Sequence, residues 1–219
     1  MFPELNVYQL LAIAILPTLF AIAVHEVAHG WIAHRLGDST AYMMGRLTLN
    51  PLKHIDPVGT ILVPAILIYT VGFAFGWAKP VPINWHNLKY PKRDIALVAI
   101  AGPASNLLMA IAWGLVMKLS SLLPGSMALI SEPLGYMGLF GILINTVLMV
   151  FNLIPIPPTD GGRIITSLLP TKMAYAVSRV EPYGMFILIG LILSGLLWKV
   201  IGPIIDTVMR FILTLTGLG

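Results

Sequence analysis

Long apolar stretches recur along this sequence, and they constrain the fold more than any other feature. The first runs from about Val7 to Ile32. Since about 20 apolar residues in a helix cross the hydrocarbon core of a bilayer, such stretches predict transmembrane helices. The composition agrees, because 58% of the residues are hydrophobic and 10% are charged, whereas about 25% are charged in an average soluble domain. We therefore predict an all-α membrane protein, built as a polytopic helical bundle.

The apolar stretches divide the chain into spans within one domain, residues 1–219. Two further features are expected: a re-entrant apolar stretch at about 58–75 and a weaker C-terminal helix at about 201–217. The segment rich in proline and basic residues at 76–94 includes PVPIN, which predicts a short extended stretch. The predicted spans are at about 7–32, 95–123, 134–156 and 183–198.

The segment His25-Glu26-Val27-Ala28-His29 carries the clearest chemical signal. Residues i and i+4 of a helix lie on one face about one turn apart, so His25 and His29 can bind one zinc ion. Glu26 is adjacent and can act as general base on water at the metal. The alternative is a chance match on a polar helix face. Three ionisable groups in five residues at the end of an apolar span are costly to insert, which favours the functional interpretation.

A catalytic zinc ion usually has three protein ligands, so the sequence must supply a third. The chain has no cysteine, which leaves His, Asp and Glu side chains. Asp160 differs from the other carboxylates because it follows a proline-rich run at the end of a span and precedes two glycines. Such irregular backbone at membrane depth is tolerated where it is buried or lines a cavity. The residues alone leave two interpretations open, a zinc ligand and a residue of an ordinary turn.

Together these segments resemble the site-2 protease family of intramembrane zinc metalloproteases. HEVAH matches the HExxH motif of that family, and NLIPIPPTDGG (152–162) resembles its second motif, in which an Asp before Gly is the third zinc ligand. AGPASN (101–106) resembles a third recurrent element. The stretches GRLTLNPLKHIDPVGT (45–60) and GWAKPVPIN (76–84) are similar to the small bacterial branch of the family without a PDZ domain.

The resemblance implies a zinc metalloendopeptidase that hydrolyses peptide bonds in or near transmembrane segments, with membrane proteins or peptides as substrates. One Zn²⁺ per chain would be held by His25, His29 and Asp160, with Glu26 as the catalytic base. We also expect residues 77–84 to pair with an unwound substrate by strand addition.

The resemblance also bears on three further positions beside these ligands. Asn152 would hold substrate or the developing oxyanion, which suits a preorganised amide donor. Asn106 would do similar work, or would form a hydrogen bond between helices. Thr159 stands where the family usually has Leu, and we expect this difference to change packing beside the ligand but not ligation itself.

Two other functions are compatible with a metal site in a membrane. A non-enzymatic membrane protein that binds or transports metal would need further acidic or His groups along a path through the membrane, and the other spans have almost none. An inactive scaffold of the same fold would not need the intact ligands and base. The small net charge of +4 gives no indication of nucleic-acid binding.

A shared metal also predicts topology. The two histidines lie near the C-terminal end of the first span, and Asp160 follows the C-terminal end of the span at 134–156, so these spans must be parallel. The span at 95–123 leads directly into the span at 134–156, so it must run antiparallel to both of them. The chain between residues 35 and 94 then crosses the membrane an even number of times, and the stretch at 58–75 cannot be a single crossing. We predict that it enters the membrane and returns, broken near Pro64 or Gly72.

The distribution of positive charge predicts the orientation. The loops at 35–57 and 77–93 carry Lys and Arg residues, whereas the loop at 119–133 has none. Because Lys and Arg are enriched in cytoplasmic loops, we expect a multi-pass protein of the cell membrane. Its N-terminus would be outside and its active site toward the cytoplasmic face.

Overall fold

The structure is a computed structural model that describes residues 5–71 and 76–219. These ranges are mainly α-helical and contain no β-strand, which confirms the prediction of an all-α protein. A wider helical turn, Pro57–Leu62, leads into the third helix, and single 3₁₀ turns occupy Pro51–Lys53, Trp85–Asn87 and Gly125–Met127. The helices are α1 (Val7–Arg35), α2 (Thr40–Met43), α3 (Val63–Val71), α4 (Pro91–Ser121), α5 (Ala128–Asn152), α6 (Asp160–Leu168), α7 (Thr171–Ser178), α8 (Glu181–Leu193) and α9 (Leu196–Leu215).

Three helices are long and apolar enough to cross a membrane: α1, α4, and α5 with the turn before it. The pair α7 and α8 would make a fourth span, although the pair is bent by 61°. These helices confirm the prediction of a polytopic membrane bundle. α9 is amphipathic, because its buried residues recur every three or four positions while its charged residues Lys199, Asp206 and Arg210 are exposed.

Several helix ends differ from the predicted spans, and each difference has a local cause. α4 begins earlier than predicted, at Pro91, because proline is favoured at the first position of a helix. α5 ends earlier than predicted, at Asn152, and the prolines that follow lack the N–H groups to extend it. The stretch predicted as one span at 183–198 is divided by Gly195, whose φ of +71° is left-handed, so α9 begins at Leu196.

Contacts between α1 and α4 fix the relative direction of these two helices. Near the start of α4, the carbonyl of Val98 bonds to His29. Two turns further along α4, Asn106 bonds to His25, which lies one turn earlier in α1. α1 and α4 are therefore antiparallel.

α4 is antiparallel to α5 as well. Asn106 of α4 donates to Asn145 of α5, while Met117, further along α4, lies against Gly138, which is earlier in α5. α1 and α5 therefore run in the same direction, as a metal shared between the ends of these helices requires.

The chain between α1 and α4 leaves the end of the bundle where α1 ends and returns to that same end, where α4 begins. The turn Pro57–Leu62 and α3 carry it away, and the N–H of Trp77 then donates to the carbonyl of Gly59 over 3.0 Å. Pro64 lies at the start of α3 without interrupting it. The predicted break near Gly72 lies outside the described residues. This path is out and back, so it allows α1 and α4 to be antiparallel neighbours.

Residues 77–84, called the strap below, follow this return and lie in a non-helical conformation across the end of α1. The N–H groups of Trp77, Lys79 and Val81 all donate to groups elsewhere in the chain, with the period of two that an extended chain has. The guanidinium of Arg46, which is 9% exposed, donates to the carbonyl of Lys79 over 3.0 Å. The strap is the short extended stretch that the PVPIN sequence predicted.

The C-terminal end of the strap is held by Asp38, whose side chain is fully buried just after α1. Its carboxylate accepts hydrogen bonds from the N–H of Asn84 at 2.8 Å, from Nδ2 of Asn87 at 2.9 Å, and from Thr40. Burial opposes ionisation, but the hydrogen bonds from Thr40, Asn87 and Asn84 outweigh it and hold the pKa of Asp38 below its usual value of 3.8. Asp38 therefore joins α1 to the strap as an anion.

We expect Asp38→Asn to lower the Tm at pH 7, because an amide nitrogen would face donors that now bond a carboxylate. A hydrogen bond to a charged group contributes about 1.5–3 kcal/mol. Because the pKa of Asp38 is lowered on folding, its carboxylate stabilises the fold at pH values above 3.8, and this stabilisation is lost as the pH falls through the lower pKa of the folded protein. Thermal unfolding in detergent should therefore show a Tm difference that narrows below pH 3.8. A difference that stays constant at low pH would contradict this role. Asp206→Asn on the exposed face of α9 is the matched control, with an unchanged Tm.

Candidate metal centre and catalytic site

α1 brings His25 and His29 to one face, one helical turn apart. Both side chains are buried, although they lie near the end of an apolar helix. Their Nε2 atoms are 3.0 Å apart. The HEVAH spacing therefore places two ring nitrogens at one point, as the sequence predicted.

Asp160 joins the two histidines from the start of α6. Its Oδ2 lies 3.4 Å from Nε2 of His25, and its Oδ1 lies 3.3 Å from Nε2 of His29. The Oδ2 atom is buried and has no hydrogen-bond partner of acceptable geometry. Because a buried carboxylate oxygen without a partner is costly, this atom needs a bonding group that the protein itself does not supply.

The local sequence around Asp160 explains how its carboxylate is positioned. Thr159 is the N-cap of α6, where its hydroxyl oxygen accepts from the N–H of Gly162 and its O–H donates to nearby carbonyls. A Cβ on Gly161 would lie 2.3 Å from the carbonyl oxygen of Leu153, so α6 can pack on the preceding loop only with glycine there. Thr159 thus fixes the start of the helix that carries Asp160, a function that Leu could not perform.

The other ring nitrogen of each histidine is bonded to α4. Nδ1 of His29 lies 2.8 Å from the carbonyl oxygen of Val98, and Nδ1 of His25 lies 2.6 Å from Oδ1 of Asn106. A carbonyl oxygen can only accept, so His29 carries a hydrogen on Nδ1, and in the neutral imidazole that binds a metal the lone pair is then on Nε2. The same follows for His25 once the orientation of the Asn106 amide is known.

The orientation of Asn106 is determined by its remaining partners. Its Nδ2 donates to the carbonyl of Ala21 at 3.2 Å and to Oδ1 of Asn145 at 3.0 Å. The Ala21 carbonyl accepts only, so the nitrogen must face it and Oδ1 must face His25. Asn145 in turn donates to the carbonyl of Gly141. The hydrogens of both histidines are therefore on Nδ1, and both Nε2 lone pairs point into the cluster with Asp160.

This network bears on the two roles predicted for Asn106, binding of substrate or an oxyanion and a hydrogen bond between helices. Asn106 is fully buried, and each polar atom of its side chain is bonded to α1 or α5. The alternative considered from the sequence, a hydrogen bond between helices, is the one observed. Asn106 positions His25, and Asn145, which sequence reasoning missed, positions Asn106.

The three side chains have the spacing of a tetrahedral metal site. Zinc binds His nitrogen and Asp oxygen at about 2.0–2.2 Å, so two ligand atoms of a tetrahedral ion lie about 3.3–3.6 Å apart. Here each Nε2 lies 3.3 or 3.4 Å from one of the two Asp160 oxygens, within this range, and the two Nε2 atoms are 3.0 Å apart, slightly below it. Within residues 5–71 and 76–219, this is the one group of three or more His, Asp or Glu residues that could hold a metal ion. Its donors and spacing fit a single zinc-like cation.

Gly102 forms the floor of this site and was missed as a site residue. A Cβ on Gly102 would lie 2.4 Å from Nε2 of His29 and 2.6 Å from Cε1 of His25. Only glycine therefore lets α4 pass close enough for the imidazole rings to reach their partners. The signal in the sequence is a glycine inside an apolar helix, where it costs about 1 kcal/mol relative to alanine and so indicates a packing requirement.

One cavity of about 770 Å³ connects the cluster with the remaining predicted residues. It is lined by Glu26 and Asn152 as well as by the two histidines and Asp160. Glu26 accepts a hydrogen bond from the strap. Asn152 is half-buried, and its Nδ2 donates to the carbonyl of Leu148 over 2.9 Å. The structure thus brings together five of the six predicted site residues around one space, and places Asn106 behind it.

These features define a class, a polytopic membrane protein with a His-His-Asp cluster that fits a metal ion, beside a further carboxylate. A model of peptidase family M50 matches residues 116–195, which include all of α5 and Asp160. A Bacillus subtilis protein named "Putative zinc metalloprotease YwhC" is 37% identical over 207 residues, which are 92% of this chain and 91% of that protein. The chain belongs to peptidase family M50, which confirms the resemblance to the site-2 proteases.

Other relatives are more distant or match over a shorter range. A Mycolicibacterium smegmatis protein named "Putative zinc metalloprotease Rip2" is 28% identical over 178 residues, and the match covers 80% of this chain and 64% of that protein. "Putative zinc metalloprotease MJ0611" of Methanocaldococcus jannaschii is 37% identical over 68 residues, 31% of each chain. No solved structure matches significantly.

We expect Gly102→Ala to lower the metal affinity of the site at least tenfold, because the added methyl group would displace the ligating face of His29. Metal content after dialysis against graded chelator, measured by mass spectrometry, tests this. Gly202→Ala is the matched control, since nothing lies within 4 Å of a Cβ at that helical position. Equal metal retention in both variants would show that the close contact with α4 is not required.

Proposed function

We propose that this protein is an intramembrane zinc metalloendopeptidase that hydrolyses peptide bonds in or near transmembrane segments of other proteins. The observation that carries the proposal is the buried cluster of His25, His29 and Asp160, which opens with Glu26 into a cavity among apolar helices. Membership of peptidase family M50 and the printed names of the relatives support both peptide hydrolysis and zinc.

The residues suit distinct roles in this reaction. His25, His29 and Asp160 would hold Zn²⁺, with Nδ1 of each histidine bonded away from the metal. Bound zinc supplies Lewis-acid polarisation of a carbonyl and makes water acidic enough to deprotonate near neutral pH. Glu26 accepts the proton from water and delivers it to the leaving amine.

Asn152 is the candidate for binding the substrate peptide. One N–H of its amide is used within α5 by the carbonyl of Leu148. Its second N–H and its oxygen remain for the cavity that it lines, where they can bond a backbone carbonyl or N–H of an unwound substrate.

The proposed membrane arrangement places this site toward the cytoplasm. α1 ends and α4 begins at the end of the bundle where the metal cluster lies, and the basic loops 35–57 and 77–93 are at this same end. The loop between α4 and α5 has no Lys or Arg. The positive-inside rule then puts the N-terminus outside. In this arrangement the apolar segment 57–71 enters the bilayer from the cytoplasmic face and returns.

Metal transport receives no comparable support. A transport path requires several polar sites in sequence through the membrane. Over the part of the chain that the structure describes, the cluster at His25, His29 and Asp160 is the one group of its kind.

Glu26→Gln should abolish proteolysis while leaving zinc bound, because the amide cannot accept a proton and Glu26 is outside the ligand cluster. We expect a loss of at least about 100-fold in rate, the usual size of a general-base contribution. Membrane-protein fragments from cells that express wild-type or variant protein can be compared by mass spectrometry, with zinc measured on the purified proteins.

Glu132→Gln is the matched control for this substitution, because it makes the same chemical change at an exposed position of α5. It should leave both the fragments and the zinc content unchanged. If the same fragments form with wild-type protein and Glu26→Gln, then Glu26 is not the base.

A further inference from the structure

We propose that the strap, residues 77–84, is a positioning element for the catalytic base: the N–H of Val81 holds the Glu26 carboxylate in the orientation that proton transfer requires. This inference rests on the proposed function, in which Glu26 moves the proton. The reaction would then depend on the backbone N–H of Val81 as well, which is 55 residues from Glu26 in the sequence.

The contact itself is short and specific. The N–H of Val81 donates to Oε2 of Glu26 over 2.8 Å. Among the residues that the structure describes, it is the one hydrogen bond to this carboxylate. One oxygen is thus fixed while the other remains for the cavity that Glu26 lines. A general base held by an orienting hydrogen bond is the arrangement that positions a proton acceptor before the reaction.

The Val81 amide is itself held on both sides. Before it in the sequence, the Arg46 guanidinium donates to the carbonyl of Lys79. After it, Asp38 accepts from the N–H of Asn84. Asp38 is fully buried, and Val81 is 6% exposed. Charged groups that are buried in this way need their partners, so the strap is a permanent part of the fold.

Two prolines make the strap stiff and change what its edge can bind. Pro80 and Pro82 flank Val81, and each fixes its own φ and restricts the residue before it. Neither has an N–H, and those of Trp77, Lys79 and Val81 are already bonded within the chain. The strap therefore offers few donors for the strand addition predicted from the sequence. It forms a wall of the cavity and orients the base.

The decisive variant is Val81→Pro, which removes the one N–H that contacts Glu26. Thr171→Pro is the matched control, because it places the same residue outside the strap and the cavity, at the exposed first position of α7, where proline is favoured and the N–H has no hydrogen-bond partner among the described residues. Both are purified and reconstituted with a transmembrane peptide that wild-type protein cleaves and Glu26→Gln does not. Zinc content and kcat and KM are measured for each.

We expect Val81→Pro to retain one zinc per chain and to lose at least tenfold in kcat with KM within about threefold, because an interaction made for the chemical step is removed. Thr171→Pro should have the kcat of the wild type. A raised KM with unchanged kcat would mean that the strap only binds substrate, and increased activity would mean that it obstructs the site. Either result, or unchanged kinetics, overturns the proposal.

A second measurement does not depend on activity or on the folding of the proline variant. Hydrogen exchange at the Val81 amide, followed by mass spectrometry with residue resolution, reports the bond in metal-free protein. Glu26→Ala should speed exchange at least tenfold, whereas Glu26→Gln keeps an acceptor oxygen and should preserve protection. Equal exchange in wild type and Glu26→Ala overturns the proposal. Loss of proteolysis in Glu26→Gln, measured separately, decides whether Glu26 is the base at all.

Discussion

The hydrogen bonds that two histidines make to α4 determine most of the arrangement around them. Because the Val98 carbonyl and the Asn106 amide oxygen accept both Nδ1 hydrogens, the Nε2 atoms of His25 and His29 face one another, and in the neutral rings these atoms carry the lone pairs. Asp160 adds two more acceptor atoms to the same space. Such a concentration of acceptors is favourable only around a cation, so the helix packing itself prepares a metal site.

The same bonds constrain the backbone. α4 must pass close to the imidazole rings, which is why position 102 is glycine. α4 must also be antiparallel to α1, so the intervening chain has to return to the end from which it left. It does so through the contact of Trp77 with Gly59, and the strap that follows reaches Glu26. The proposed base and the proposed metal ligands are thus supported by one continuous set of contacts.

Much of the site could be predicted because it is marked by a short local motif and by residues that are energetically unfavourable in a membrane. The HEVAH spacing places two histidines on one helix face whatever surrounds the helix. Asp160 could be selected because charged groups and broken backbone are expensive in a membrane and few carboxylates compete with it. The shared metal then required parallel α1 and α5, which the contacts along α4 bear out.

The remaining features depend on groups that are distant in the sequence. Asn106 has the same chemistry whether it binds substrate or joins helices, and only the positions of Ala21 and Asn145 decide between them. Asp38 resembles an ordinary turn residue until Asn84 is placed beside it. The division of the last apolar region depends on the left-handed conformation of Gly195, which no hydropathy pattern reports.

The zinc K-edge X-ray absorption spectrum of purified protein tests the metal centre most directly. Two imidazole nitrogens and at least one carboxylate oxygen at about 2.0–2.2 Å from the metal are expected. In Asp160→Ala the spectrum should change while both imidazole contributions remain. A metal with fewer than two imidazole ligands, or a spectrum that the loss of Asp160 does not alter, would contradict the assignment of His25, His29 and Asp160 as the ligands.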